Sequence, residues 1–155
     1  MEIRVATVDD ADTLAALNAC VQAIHVHHHP GGFRSPEPGD VAEWFRARLV
    51  EPGVRAWLVV RSALPVAYAL VIPRERLPTP FTVAERYFEI DQLAVLPELR
   101  RQGIARALVT HIRAETARGG SSALRLQTWM FNADARSAFE RLGFRPEVLR
   151  YRLDA

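Results

Sequence analysis

Pro97-Glu-Leu-Arg-Arg-Gln-Gly-Ile-Ala105 runs straight into a stretch with apolar residues at helical spacing, Ile104, Leu108 and Ile112. A loop entering a helix leaves several backbone N–H groups unpaired and a partial positive charge at the helix start, so an anion such as phosphate is favoured there. Gly103 lets the backbone approach a ligand closely, Ala105 keeps the next position small, and Arg100 and Arg101 add forked cationic donors. One glycine in an Arg-rich loop is weak evidence taken alone. Upstream, Glu89 and Asp91 lie in Tyr87–Val95, the strongest strand pattern in the chain. Strand parity puts Tyr87, Glu89 and Asp91 on one face, provided no bulge intervenes. Two carboxyls close together raise one another's proton affinity, which suits a general base. A third group is His25, His27, His28 and His29, of which the first and the last two share a helical face at metal-ligand spacing. Pro30 follows at once and no acidic or cysteine ligand follows at a characteristic distance, so no metal ligand is assigned. A simple interaction with the helix dipole is the other reading of the cluster.

The elements needed to position these groups are legible from pattern. Ile3, Val5 and Thr7 alternate as a strand, Asp9-Asp10 cap a helix carrying Leu14, Leu17, Val21 and Ile24, and Pro30-Gly31-Gly32 stops it near His29. A Pro- and Gly-rich loop leads to a second helix from Val41 to Leu49. Arg55–Arg61 and Val66–Arg74 read as a hairpin, and Arg74–Arg86, twice broken by proline, as a protruding arm. After Tyr87–Val95 the pattern predicts a helix to Arg118, a strand at Ala123–Met130, a short helix at Asp134–Leu142 and a last strand at Val148–Leu153. A late strand-helix-strand unit implies parallel pairing, whereas the earlier hairpin is antiparallel. The expected class is α/β, α+β-like in its first half, with a mixed sheet and a single domain over residues 1–155.

Composition narrows the chemistry. The 155 residues suit one domain, and a net charge of +2 does not make nucleic acid the expected partner. The chain has no lysine, which excludes Schiff-base, Ser-Lys and P-loop-lysine mechanisms. Its single cysteine, Cys20, cannot close an internal disulfide and sits among apolar helix positions as a small hydrophobe. With apolar runs far short of a membrane span, the expectation is a cytoplasmic protein with no membrane partner.

Arg100-x-x-Gly103-x-Ala105 resembles the Gln/Arg-x-x-Gly-x-Gly/Ala element of the GNAT N-acetyltransferase superfamily, and Leu93-Ala94-Val95-x-Pro97-Glu98 is similar to the strand end that precedes it there. Asn132-Ala-Asp-Ala135, followed by Phe139-Glu-Arg-Leu-Gly143-Phe144, resembles the superfamily's second stretch. The resemblance is specific from about Phe88 to Phe144. It implies a mixed central sheet flanked by helices, with a V-shaped split between the parallel strands Tyr87–Val95 and Ala123–Met130, and acetyl-coenzyme A held in that split. It further implies that amides of Arg100, Arg101, Gln102, Gly103, Ile104 and Ala105 hold the pyrophosphate, and that Leu93, Ala94 and Val95 pair with the pantetheine arm. Asn132 stands where a family asparagine bonds the cofactor, although a helix-capping role fits equally. Glu89 stands at the place of the strand-borne base, with Asp91 beside it. His25 is placed to contact the acceptor or relay its proton. Phe139 departs from the pattern, because many relatives carry there a tyrosine that protonates the departing thiolate. The implied activity is acetyl transfer from acetyl-coenzyme A to a primary amine, in a small molecule or peptide, by direct attack. The alternatives are a weakly active acyl-coenzyme A sensor and, further off, a metal protein built on the histidines. Long arms like Arg74–Arg86 in the family imply a homodimer.

Overall fold

Val66 to Ile72 is apolar at every position, the mark of a strand covered on both faces, and it lies at the centre of a five-stranded sheet. The computed structural model describes residues 1–154, and of Pro38 the backbone alone. In chain order the elements are β1 (Glu2–Val5), α1 (Ala11–His28), α2 (Pro38–Leu49), β2 (Arg55–Arg61), β3 (Leu64–Arg76), β4 (Glu85–Val95), α3 (Ile104–Arg118), β5 (Leu124–Leu126) and α4 (Ala133–Arg141). The strands lie side by side in that order, antiparallel except for β4 and β5, which α3 connects as a parallel pair.

Each face of the sheet has its own core. On one, Leu14 and Leu17 of α1 and Phe45 of α2 pack against Leu58, Tyr68, Leu70, Ile72 and Ala94. On the other, Ile104, Leu108 and Ile112 of α3 cover Trp57, Val59, Ala69, Val71 and Ile90. The helical spacing read in α3 is therefore the spacing of its buried side chains. Among the described residues no helix is long and apolar enough to cross a membrane.

The structure departs from the expectations in four places. The ladder between β3 and β4 slips at Leu70/Val71, which face Gln92 and Ile90, so Asp91 is an extra residue in β4. That bulge breaks the parity: Glu89 shares its face with Gln92 and Ala94, and Asp91 is not in line with them. The segment Arg74–Arg86 is not a separate arm. It continues the β3–β4 hairpin through the pairs Arg74 with Tyr87, Glu75 with Arg86 and Arg76 with Glu85, with ion pairs of 3.0 Å (Arg76–Glu85) and 3.2 Å (Arg86–Glu75). Pro73 is tolerated because β3 there runs past the end of β2. The strand expected at Ala123–Met130 is confined to Leu124–Leu126, since its pairing with β4 ends at Ile90. Finally, Val148–Leu153 forms no strand; Glu147 is held by Arg125 of β5, and beyond it no ladder partner among the described residues engages the tail, leaving Tyr151 and Leu153 exposed.

Candidate active site

After β4 the chain makes a 3-10 turn at Pro97–Leu99 and reaches α3 through two residues with left-handed backbone, Arg101 (φ 63°) and Gly103 (φ 81°). Gly103 is the N-cap of α3, and no side chain caps the first-turn amides. No acidic residue lies in that turn to compete for them, so the concavity suits an anion. Neighbouring contacts fix its shape. Arg100 Nε donates to the Val95 carbonyl at 3.1 Å, tying the loop to the end of β4, while Gln102 accepts from Arg61 at 2.7 Å and donates to the Glu98 carbonyl at 3.3 Å. Ile104 anchors the helix start in the core. The structure thus brings Leu93, Ala94 and Val95 to the mouth of the loop that contains Arg100 to Ala105.

Beside this loop β4 and β5 part company. Their pairing covers Phe88–Ile90 and Leu124–Leu126, while β4 runs on through Gln92, Leu93, Ala94 and Val95 with β3 as its only partner among the described residues. One main-chain edge of β4 is unpaired there, apart from the Val95 carbonyl that Arg100 holds.

Glu89 has a side chain 13% exposed, and its Oε2 accepts from Arg74 Nε at 3.1 Å. Asp91, although exposed as a residue, has its carboxyl pushed above the ordinary value, chiefly by desolvation; Arg48 pulls it the other way and nearby Glu89 adds to the rise. The bulge takes the two carboxyls out of line, and Glu89 is a lesser contributor to the rise than burial.

Three polar residues that the sequence reading passed over form a connected set behind β4. Tyr68 Oη donates to Gln92 Oε1 at 2.7 Å, and Asn18 Nδ2 reaches Tyr68 Oη at 2.9 Å and Gln92 Oε1 at 3.3 Å. Burial pushes the Tyr68 phenol up, so it stays protonated and positions its partners. The available signal was Asn18, a polar residue on the apolar stripe of α1.

His25 stacks on Phe33 at 4.7 Å between ring centroids and lies edge-on to Phe131 at 6.1 Å; desolvation lowers its pKa. Among the described residues no hydrogen bond or ion pair links His25 to Glu89 or Asp91, and no three His, Cys, Asp or Glu side chains converge as metal ligands. Asn132 is the N-cap of α4, its Oδ1 accepting from the Ala135 amide at 3.1 Å. Phe139 lies edge-on to Phe144 at 6.1 Å.

The sequence model of the acetyltransferase (GNAT) family matches residues 21–144. A search of curated proteins returns no significant match. Among solved structures, a tetramutant of the BH1408 protein from Bacillus halodurans superposes with a TM-score of 0.94 at 26% identity, covering all of both chains. A putative acetyltransferase from Agrobacterium tumefaciens shares the fold with a TM-score of 0.77 at 19% identity, again over both whole chains. The aminoglycoside antibiotic 6'-N-acetyltransferase AAC(6')-IG from Acinetobacter haemolyticus does so with a TM-score of 0.72 at 16% identity, over 100% of this chain and 99% of its own. With the loop, the crossover helix and the family match falling on the same residues, the chain belongs to the acetyltransferase (GNAT) family.

Proposed function

We propose that the protein is an N-acetyltransferase that moves the acetyl group of acetyl-coenzyme A to a primary amine by direct attack. The observation that carries this reading is the uncapped amide loop at Arg101–Gly103, set against the open edge of β4 from Gln92 to Val95. The residues present fit such a cosubstrate. Amides from Arg100 to Ala105 would hold its pyrophosphate, main chain at Leu93, Ala94 and Val95 would pair with its amide-bearing arm, and Asn132 would flank it. When bound, acetyl-coenzyme A supplies an activated acetyl thioester.

The chain's own part is to hold the amine and move its proton. An alkylammonium has a reference pKa of about 10.4, so it must lose a proton before it can attack. Glu89 takes that proton, oriented by Arg74, and Asp91 with its raised proton affinity is the second acceptor beside it. His25, whose burial disfavours its charged form, borders the acceptor. As the nitrogen–carbon bond forms and the carbon–sulfur bond breaks, solvent protonates the thiolate, because Phe139 has no hydroxyl to donate. Phe139 also carries a second reading, a slow enzyme that serves as an acyl-coenzyme A sensor. The AAC(6')-IG neighbour, an aminoglycoside acetyltransferase by name, favours the amine acceptor.

A thiol-release assay with acetyl-coenzyme A across an amine panel tests the proposal. Turnover on an amine, lowered about 10²–10⁴-fold in Glu89→Gln, is the expected result. Coenzyme A binding with no turnover on any amine favours the sensor. The hairpin tip exposes Leu77, Phe81 and Val83, which supports a homodimer in which this tip meets a second copy; a monomer by light scattering at micromolar concentration rejects it.

A further inference from the structure

The contacts around the β4–β5 divergence form a closed circuit. At one side Asn18 of α1 is bonded to Gln92 of β4, just past the last β4–β5 pair. Two turns further along α1, the His25 and His28 rings meet Phe131, in the segment that follows β5. The last turns of α1 therefore cross from β4 to the continuation of β5, over the gap between them.

The crossing is built of rings. His28 stacks on Phe131 at 5.1 Å with planes 14° apart, His29 lies 5.6 Å from Trp129, and Phe33 sits edge-on to Trp129 at 5.4 Å. Trp129 and Phe131 are nearly parallel, 12° apart. Packing alone would hide these faces, yet Trp129 is 48% exposed and His28 is exposed. Among the described residues, no ring nitrogen of His25, His28 or His29 makes a hydrogen bond within the chain, so donors and acceptors lie idle beside the aromatic faces. None of the six side chains is a carboxylate, and the desolvation that lowers the His25 pKa disfavours added positive charge beside it. A polycation finds no partner there. A flat uncharged ring finds faces to stack on and imidazole nitrogens for a polar substituent.

Building on the acetyltransferase reading, we propose that His25, His28, His29, Phe33, Trp129 and Phe131 form the acceptor-recognition surface, and that the acceptor is an arylalkylamine. The ring of the acceptor lies on this surface and its amine reaches toward Glu89.

Two measurements separate this proposal from the reading beneath it. Thiol release is followed with 2-phenylethylamine, n-hexylamine and spermidine as acceptors, and binding of 2-phenylethylamine is measured by calorimetry with coenzyme A present. The expected result is that 2-phenylethylamine has the highest kcat/KM, and that Trp129→Leu and Phe33→Leu each raise its KM about tenfold, the scale of one lost aromatic contact. The KM for acetyl-coenzyme A and the melting temperature should stay near their original values in both variants. Equal use of all three amines, or equal losses for 2-phenylethylamine and n-hexylamine in the variants, overturns the ring preference and leaves acetyl transfer standing. Saturable binding of 2-phenylethylamine that Trp129→Leu removes, with no thiol release from any amine, keeps the aryl-amine surface and removes the acetyl-transfer reading. No binding of 2-phenylethylamine together with no thiol release from any amine overturns both.

Discussion

Arg74 and Glu89 are diagonal neighbours on one face of the β3–β4 ladder: Arg74 pairs with Tyr87 and Glu89 with Ile72, and the guanidinium Nε lies 3.1 Å from the carboxylate. Arg74 therefore holds the orientation of the proposed base. Arg74→Gln is expected to lower kcat about tenfold while the KM for acetyl-coenzyme A stays constant, because an orienting contact is lost and the cosubstrate loop is untouched. In the double variant with Glu89→Gln the two losses should not multiply. Steady-state kinetics on the four proteins checks this, and multiplicative losses would show that Arg74 acts elsewhere.

Asp91 has a folded-state pKa above its unfolded value, so ionising it opposes folding at neutral pH. The sign is that of a raised carboxyl: the fold gains stability relative to an Asn variant as the pH falls from above the folded pKa toward 3.8. Asp91→Asn should melt higher than the original protein at pH 7 and lose that advantage below pH 3.8. Thermal melts across pH 3–8 measure it, and a variant less stable at pH 7 contradicts the assignment.

At Gly103 the backbone has φ 81°, where a side chain costs about 1–2 kcal/mol, while open space surrounds the position. Gly103→Ala should therefore fold with about that loss. In the original protein, coenzyme A at about 100 times its dissociation constant should add about 2.7 kcal/mol of stability. Gly103→Glu, which puts negative charge into the amide concavity, should show no such gain. An undiminished shift with coenzyme A in that variant would take the loop out of the site.

Asp10 accepts two hydrogen bonds from Arg4, at 2.7 and 2.8 Å, and one from the Thr7 amide, and these hold its pKa at about 2. A lowered carboxylate stabilises the fold above the unfolded value near 3.8 and loses that contribution as the pH falls through 2. Discounted for the partial exposure of Arg4, Asp10→Asn should cost about 1–2 kcal/mol at pH 7 and almost nothing at pH 2. Denaturant titration at the two pH values tests it.

What the sequence displayed and what it hid divide by the range of the contacts. α3 was legible because Ile104, Leu108 and Ile112 announce one buried face within a single element, and the loop before it because its residues are consecutive. The bulge at Asp91 was hidden, since an extra residue in β4 has meaning only against the register of β3. Tyr68, Asn18 and Gln92 meet across sequence separations of 50 and 74 residues, which no local pattern contains. The histidines drew notice by their number, but their partners Trp129 and Phe131 lie about a hundred residues on. At Val148–Leu153 the alternation invited a strand, and composition alone could not supply a neighbour for it.

The left-handed turn at Arg101–Gly103 has a consequence for how such a protein changes over generations. The anion grip proposed for it would be made by main-chain amides, so substitutions at Arg100 or Gln102 would alter its strength without erasing it, and glycine is the residue that fills the φ 81° position at least cost. The rings at the end of α1 and after β5 have no such protection, because every contact there is a side chain. On the proposed function, mutation would therefore rewrite the choice of acceptor while the donor half is inherited intact with the fold.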